Sequence, residues 1–151
     1  MTEARKLPGV ERVYENDRIR VTWEPGYCIH VGVCFRTSPD VFKPRERPWV
    51  KIDAADPDEI AETVAKCPTG ALGLERLDGE PPPEVPETPE IVVDPEGTLF
   101  VRGHVRVTRP DGEVLREDTR VALCRCGHSS NKPFCDGTHW RIGFREDLPE
   151  A

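Results

Sequence analysis

The chain has little from which to build a membrane anchor. Its apolar runs are short, Ile91-Val92-Val93 among the longest, and none could cross a bilayer as a helix. The opening residues, MTEARKLPGVERVYEND, are charged and hold no apolar core of a secretory signal. Basic residues are in deficit: 21 Lys and Arg stand against 28 Asp and Glu, a net charge of −7. That balance argues against nucleic acid, whose phosphates want a basic face. A nucleophile–base–acid triad, a glycine-rich phosphate loop and a paired-carboxylate site are also missing, so the sequence does not read as an enzyme. Hydrophobic residues are modest at 36 %, while 16 residues are proline. Such a chain can build only modest cores, and small cores often need a metal staple.

What the chain does have is six cysteines. The absent secretory core implies a cytoplasmic, reducing compartment, where thiols serve more often as metal ligands than as disulfides. Their distribution follows a boundary. Residues 76–90, RLDGEPPPEVPETPE, hold five prolines and set Arg76 alone against five acids. Pro-rich, acidic and free of aromatics, this stretch reads as an extended linker. It separates residues 1–75 from 91–151, and each piece contains three cysteines.

The pattern within each piece predicts a mixed architecture of α+β class. Ile19, Val21 and Trp23 alternate with polar residues and predict a strand over 18–23. PWVKID (48–53) predicts another. Residues 56–67 carry helix signals: Asp56 as N-cap, Pro57 at the first helical position, Glu59 three beyond the cap, and Ile60 and Val64 four apart. Pro68 ends that helix after Cys67. In the second piece, Leu99, Val101, Val105 and Val107 alternate over 98–108. The Asp111-Gly112 turn signal then leads into a return strand over 113–124, a hairpin that delivers Cys124.

Residues 124–139, CRCGHSSNKPFCDGTH, place Cys124, Cys126, Cys135 and His139 within sixteen positions. A disulfide is disfavoured by the compartment and by the strain of joining residues two apart. A nucleophile needs one activated thiol, not three together. Three cysteines and a histidine are a normal tetrahedral zinc set, and spacing alone leaves zinc and an iron–sulfur cluster level. The intervening residues add Ser129, Pro133, Asp136, Gly137 and Thr138. With them the segment resembles the CDGSH iron–sulfur (NEET) family, whose pattern C-x-C-x2-[ST]-x3-P-x-C-D-G-[SAT]-H it matches throughout. The likeness extends over about 97–145. It implies a [2Fe–2S] cluster with Cys124 and Cys126 on one iron and Cys135 and His139 on the other. One neutral imidazole among thiolates makes such a centre easier to reduce, the direction also seen in Rieske sites. Asp136 and Gly137 suit a turn into a short helix. His128, His104 and Lys132 read as ordinary polar or structural positions.

Cys28, Cys34, the run Pro39-Asp40-Val41-Phe42, and Cys67-Pro68 with Ala71 resemble the divergent single-cluster bacterial ferredoxins over about 19–74. Where common ferredoxins place a further thiolate, this chain has Val31, which cannot ligate iron. Three thiolates fit a [3Fe–4S] cluster. A [4Fe–4S] cluster would need an outside ligand, for which His30 is the nearest donor, one position early. Together the two resemblances imply a two-cluster protein that relays single electrons between redox partners, a reductase or an oxidase, or else stores, transfers or senses clusters with an apo iron–sulfur protein as acceptor. The CDGSH likeness also makes a homodimer possible.

Overall fold

Alternation around Arg20 produces a strand. In the computed structural model, which describes residues 11–145, β2 (Ile19–Trp23) buries Ile19 and Val21 completely and turns Arg20 outward. The charged residues 1–10, most of the stretch read above for a signal core, lie outside the described residues, as do residues 146–151. Two strands flank β2 antiparallel: β1 (Arg12–Glu15) and β3 (Leu72–Arg76), with Val21 opposite both Tyr14 and Leu74. Arg20 reaches Glu15 on one neighbour and Glu75 on the other, at 2.7 Å each. Being exposed, these pairs add little stability.

Two helices close this sheet. The short α1 (Val33–Thr37) starts after Gly32, whose φ of 76° turns the chain out of the Cys28 loop. The longer α2 (Pro57–Ala65) begins as its sequence predicts: Asp56 accepts a hydrogen bond from the Asp58 N–H at 2.9 Å, and Pro57 occupies the first turn. Its inner face buries Ile60, Ala61 and Val64. The Ser38 and Thr63 hydroxyls meet at 2.6 Å and tie α2 to the end of α1. The strand predicted at 48–53 does not form. Pro48 has no N–H to donate, and the segment makes only a single bridge, Val50 with Phe42. Its side chains are nevertheless core: Trp49 packs edge-on to Trp23 and tilted against Phe42, at centroid distances of 4.8 and 5.6 Å.

The second sheet is β4 (Glu90–Val93), β5 (Leu99–Thr108) and β6 (Val114–Leu123), antiparallel in that order. β5 and β6 form the predicted hairpin, with Val101 opposite Val121 and the turn bonded from the Glu113 N–H to the Asp111 carboxylate at 2.9 Å. After β6 the chain winds through residues 124–137 and ends in a single helical turn, α3 (Thr138–Arg141). Among the described residues, no helix is long and apolar enough to cross a membrane.

The stretch between β3 and β4 has neither helix nor strand, yet the pieces it joins are not apart. One buried cluster takes Ile19, Val21, Tyr27, Ile60 and Val64 from before residue 76 and Val101, Val121 and Phe134 from after it. The Tyr27 and Phe134 rings meet edge to face at 5.2 Å and 88°, an arrangement that adds to their burial.

Candidate metal centres

The C-terminal cysteines are delivered by a loop built to hold them. Cys124 follows β6, with its N–H donating to the Pro133 carbonyl at 2.8 Å, and Cys135 donates to Ala122 at 2.9 Å. Those two bonds clip both ends of the loop to the end of β6. Inside it, the buried Ser129 hydroxyl donates to the Phe134 carbonyl at 2.6 Å and accepts from the Asn131 N–H at 3.0 Å. The Asp136 carboxylate accepts from the Ser130 N–H at 2.8 Å, and from the N–H and hydroxyl of Thr138 at 3.0 and 2.5 Å. Burial raises the pKa of Asp136, but these bonds outweigh it and hold the carboxyl below its ordinary value. Asp136 is thereby committed to bracing the turn into α3.

The four donors fall into two pairs. Cys124 and Cys126 have their sulfurs 3.9 Å apart, too far for a disulfide, and Cys135 Sγ lies 3.4 Å from His139 Nδ1. A tetrahedral centre with metal–sulfur bonds of about 2.3 Å separates two sulfur ligands by about 3.8 Å, and somewhat less when one ligand is nitrogen. Each pair thus has the bite of two ligands on one metal. Among the described residues, no group of three or more Cys, His, Asp or Glu side chains converges to hold a single ion. Two such pairs are what a binuclear cluster with two protein ligands per metal would need.

His139 is placed with little freedom. It is 2 % exposed and its Nε2 has no hydrogen-bond partner. Behind it stands Gly97, where a Cβ would come within 2.5 Å of Nε2. Only glycine there lets the ring lie with Nδ1 toward Cys135. Burial pushes the His139 pKa below 6.5, so the ring is neutral and its lone pair free at pH 7. For Cys124, burial pushes the pKa up, but the N–H groups of Ser129 and Gly127 and the neighbouring Cys126 overcome it and favour the thiolate. Burial raises Cys135 in turn, opposed by a 3.4 Å bond from the Gly137 N–H.

The other three cysteines come from three elements. Cys28 ends the 3-10 turn Pro25–Tyr27, Cys34 lies in the first turn of α1, and Cys67 follows α2 with its N–H donating to Val64 at 3.0 Å. All three line one pocket, joined by Val31, Pro68 and Thr69. Burial is the main reason the Cys28 and Cys34 thiols are raised, and the negative charge a Cys67 thiolate would carry adds to it. His30, exposed and at φ 61°, donates its N–H to Cys28 Sγ at 3.4 Å and holds Nδ1 3.7 Å from the same sulfur. Its ring lies beside that thiol rather than across the pocket. Val31, which also lines this pocket, packs on a small buried cluster of Ile29, Ala122 and Cys135.

The positions read as ordinary sit away from the donors or at the surface. His104 is exposed on β5, and Lys132 is exposed. His128 is exposed too, its Nδ1 2.9 Å from the Cys126 carbonyl and its N–H on Cys126 Sγ at 3.5 Å. Two residues that sequence reasoning passed over matter more. Arg116 and Arg120, on β6, carry their guanidinium groups into the first half of the chain, to the Gly70 carbonyl at 2.9 Å and the Cys67 carbonyl at 3.0 Å. Charged residues on a strand read as solvent-facing, and no local pattern marks Arg116 as buried or Arg120 as half-buried.

Comparison with known proteins finds two family matches along the chain. Residues 14–76 match the family described as divergent 4Fe-4S mono-cluster, and residues 96–140 the one described as iron-binding zinc finger CDGSH type. The uncharacterized protein YjdI of Escherichia coli K12 is 32 % identical over 66 residues, 44 % of this chain and 87 % of the relative, and the O157:H7 protein of the same name matches equally. The chain therefore belongs to the divergent 4Fe–4S mono-cluster family, with a CDGSH iron–sulfur domain following it in the same polypeptide.

Proposed function

We propose that this protein is a carrier, not an enzyme, that passes single electrons between redox partner proteins in a reducing, cytoplasmic compartment. The observation that carries the reading is the contact between the two sites. Ile29, the residue after Cys28, is buried together with Cys135, so the loop that carries Cys28 packs on the loop that carries Cys135. An iron–sulfur cluster supplies one-electron oxidation and reduction, with its potential set by ligand type, nearby N–H donors and exposure. Cys124 and Cys126 hold one iron of the [2Fe–2S] group in this reading, and Cys135 and His139 the other. Cys28, Cys34 and Cys67 hold the second cluster. The N–H groups of His30, His128 and Gly137 point at Cys28, Cys126 and Cys135 and disperse thiolate charge. One electron is taken from a reduced protein and given to an oxidised one, and no atom is transferred. The net charge of −7 suits docking against a basic face. The test is anaerobic reduction by a one-electron donor protein and reoxidation by an acceptor, read in the visible spectrum. Transfer of intact cluster to an apo-acceptor, without electron exchange, would replace this reading by cluster delivery.

Val31 bears on the number of irons. The family match favours four, yet Val31 lines the pocket without a donor atom and His30 holds Nδ1 3.7 Å from Cys28 Sγ, so a fourth iron would lack a side-chain ligand among the described residues. That corner iron is labile in this reading. Anaerobic protein is expected to hold about six irons per chain, two and four, falling to about five in air as a three-iron form appears. Val31→Cys is expected to keep the fourth iron, abolishing the EPR signal of the oxidised three-iron form. Protein that holds mostly zinc, or only two irons after anaerobic purification, would remove the N-terminal cluster.

A further inference from the structure

Arg120 stands on β6, in the second half of the chain, but the hydrogen bonds of its guanidinium go to the first. Nη1 donates to the carbonyls of Val64 and Cys67, the latter at 3.0 Å, and Nη2 to Leu72 at 2.6 Å. Val64 and Cys67 lie at the end of α2, where the dipole favours a cation. The Val64 carbonyl already accepts from the Cys67 N–H at 3.0 Å, and a guanidinium more than fifty positions away adds a second, charged donor. The same three carbonyls bracket the loop that presents Cys67.

The backbone of that loop also lies directly on β6. A Cβ at Gly70 would come within 2.5 Å of the Arg120 carbonyl, so the two chains approach as closely as glycine permits. Arg116 adds a bond to the Gly70 carbonyl at 2.9 Å and stacks its guanidinium 3.8 Å over the Tyr27 ring, the residue before Cys28. Asn131, from the CDGSH loop, donates to the Gly26 carbonyl at 3.2 Å. Four residues beyond Arg120 the strand reaches Cys124.

We propose that Arg120 is a positioning residue for Cys67 and that occupancy of the two iron–sulfur sites is coupled through it, each cluster holding the other in place. Metal at Cys124, Cys126, Cys135 and His139 anchors the end of β6. An anchored β6 keeps Arg116 and Arg120 on the Cys67 loop, and Cys135 keeps Ile29 packed beside Cys28. Coupling of this kind is reciprocal: whatever the second site does for the first, the first does for the second. The inference rests on the assignment of clusters to both sites but not on electron transfer. Absence of electron exchange with partners would leave the coupling readable, so the two ideas fail separately.

The test follows loss of the N-terminal cluster from anaerobic holoprotein challenged with a ferrous chelator, read by EPR. Cys135→Ser, which unseats the C-terminal cluster, is expected to speed loss of the N-terminal cluster about fivefold or more, the lower end of ordinary site–site coupling. Arg120→Gln should speed it similarly while the CDGSH visible spectrum persists. Arg120→Lys keeps the charge but not the fork that reaches three carbonyls. Arg120→Gln, which removes the charge, should lower the reduction potential of the N-terminal centre, whereas Arg120→Lys should keep the wild-type potential while leaving the cluster labile, a split that simple misfolding would not give. An unchanged loss rate in Cys135→Ser overturns the coupling, whether or not the Arg120 variants fold. Unchanged retention in a folded Arg120→Gln protein overturns the role of Arg120. Wild-type protein that carries iron at one site only overturns both.

Discussion

His139→Cys is expected to lower the reduction potential of the C-terminal centre by well over ~59 mV, the equivalent of one tenfold change for a one-electron couple. The substitution exchanges a neutral donor for an anion at 2 % exposure, where water screens the added charge poorly. It should also change the response to acid. Burial holds the imidazole pKa below 6.5. The folded state thus prefers the neutral ring, and that preference stabilises it fully above 6.5 and is lost as pH falls through the lowered value. Protonation there puts a cation into a site whose Nε2 has no partner, and it would leave Nδ1 without a lone pair for any metal held beside Cys135. Wild-type visible absorbance should bleach at pH values below 6.5, while the cysteine variant stays coloured to lower pH. A redox titration and absorbance decays between about pH 5 and 8, around the histidine reference value, measure both. If the substitution moves neither potential nor acid response, His139 is not an iron ligand.

Phe134→Ala is expected to cost about 3–5 kcal/mol, the range for emptying a buried aromatic site. Phe134 is 1 % exposed, faces Tyr27 across the two halves, and precedes Cys135. Its backbone also serves the loop: its N–H donates to Asn131 at 2.9 Å and its carbonyl accepts from Ser129. The lost packing should appear as a fall in Tm of about 2–4 °C per kcal/mol for a chain of this size. Phe134→Leu should recover much of it by refilling volume. Because the ring touches the residue before Cys28 as well as the loop of Cys135, both absorption signatures should fade together on heating. Loss of one well before the other would show that Phe134 serves only its own loop.

The sequence was most legible where structure is local. Residues 124–139 contain all four C-terminal donors in one loop and the helical turn that follows it, so spacing and motif reach the site together. The hairpin at Asp111-Gly112 and the cap at Asp56 are equally self-contained. Legibility fell where partners are distant. β1 and β3 owe their existence to β2, and neither has enough alternation to announce itself. α1 is only five residues long and is set by Gly32 rather than by any apolar period. PWVKID has strand-like composition, but its Trp49 and Val50 are spent on side-chain packing against Trp23 and Phe42, not on a ladder. The same limit hid Arg116 and Arg120, whose partners lie some fifty residues upstream.

The loop between β3 and β4 carries a consequence of a different kind. The covalent path between the halves runs through Pro81, Pro82 and Pro83 and the acidic residues beyond them, with no strand or helix. The cohesion of the halves runs elsewhere, through Phe134 on Tyr27, Ile29 on Cys135, and the guanidinium groups of β6. Peptide connectivity and physical attachment are therefore carried by different atoms. A cut in the proline stretch would leave two fragments still clasped as a complementation pair, whereas a separately expressed half would present Val101, Val121 and Phe134, or the surface that covers them, to water.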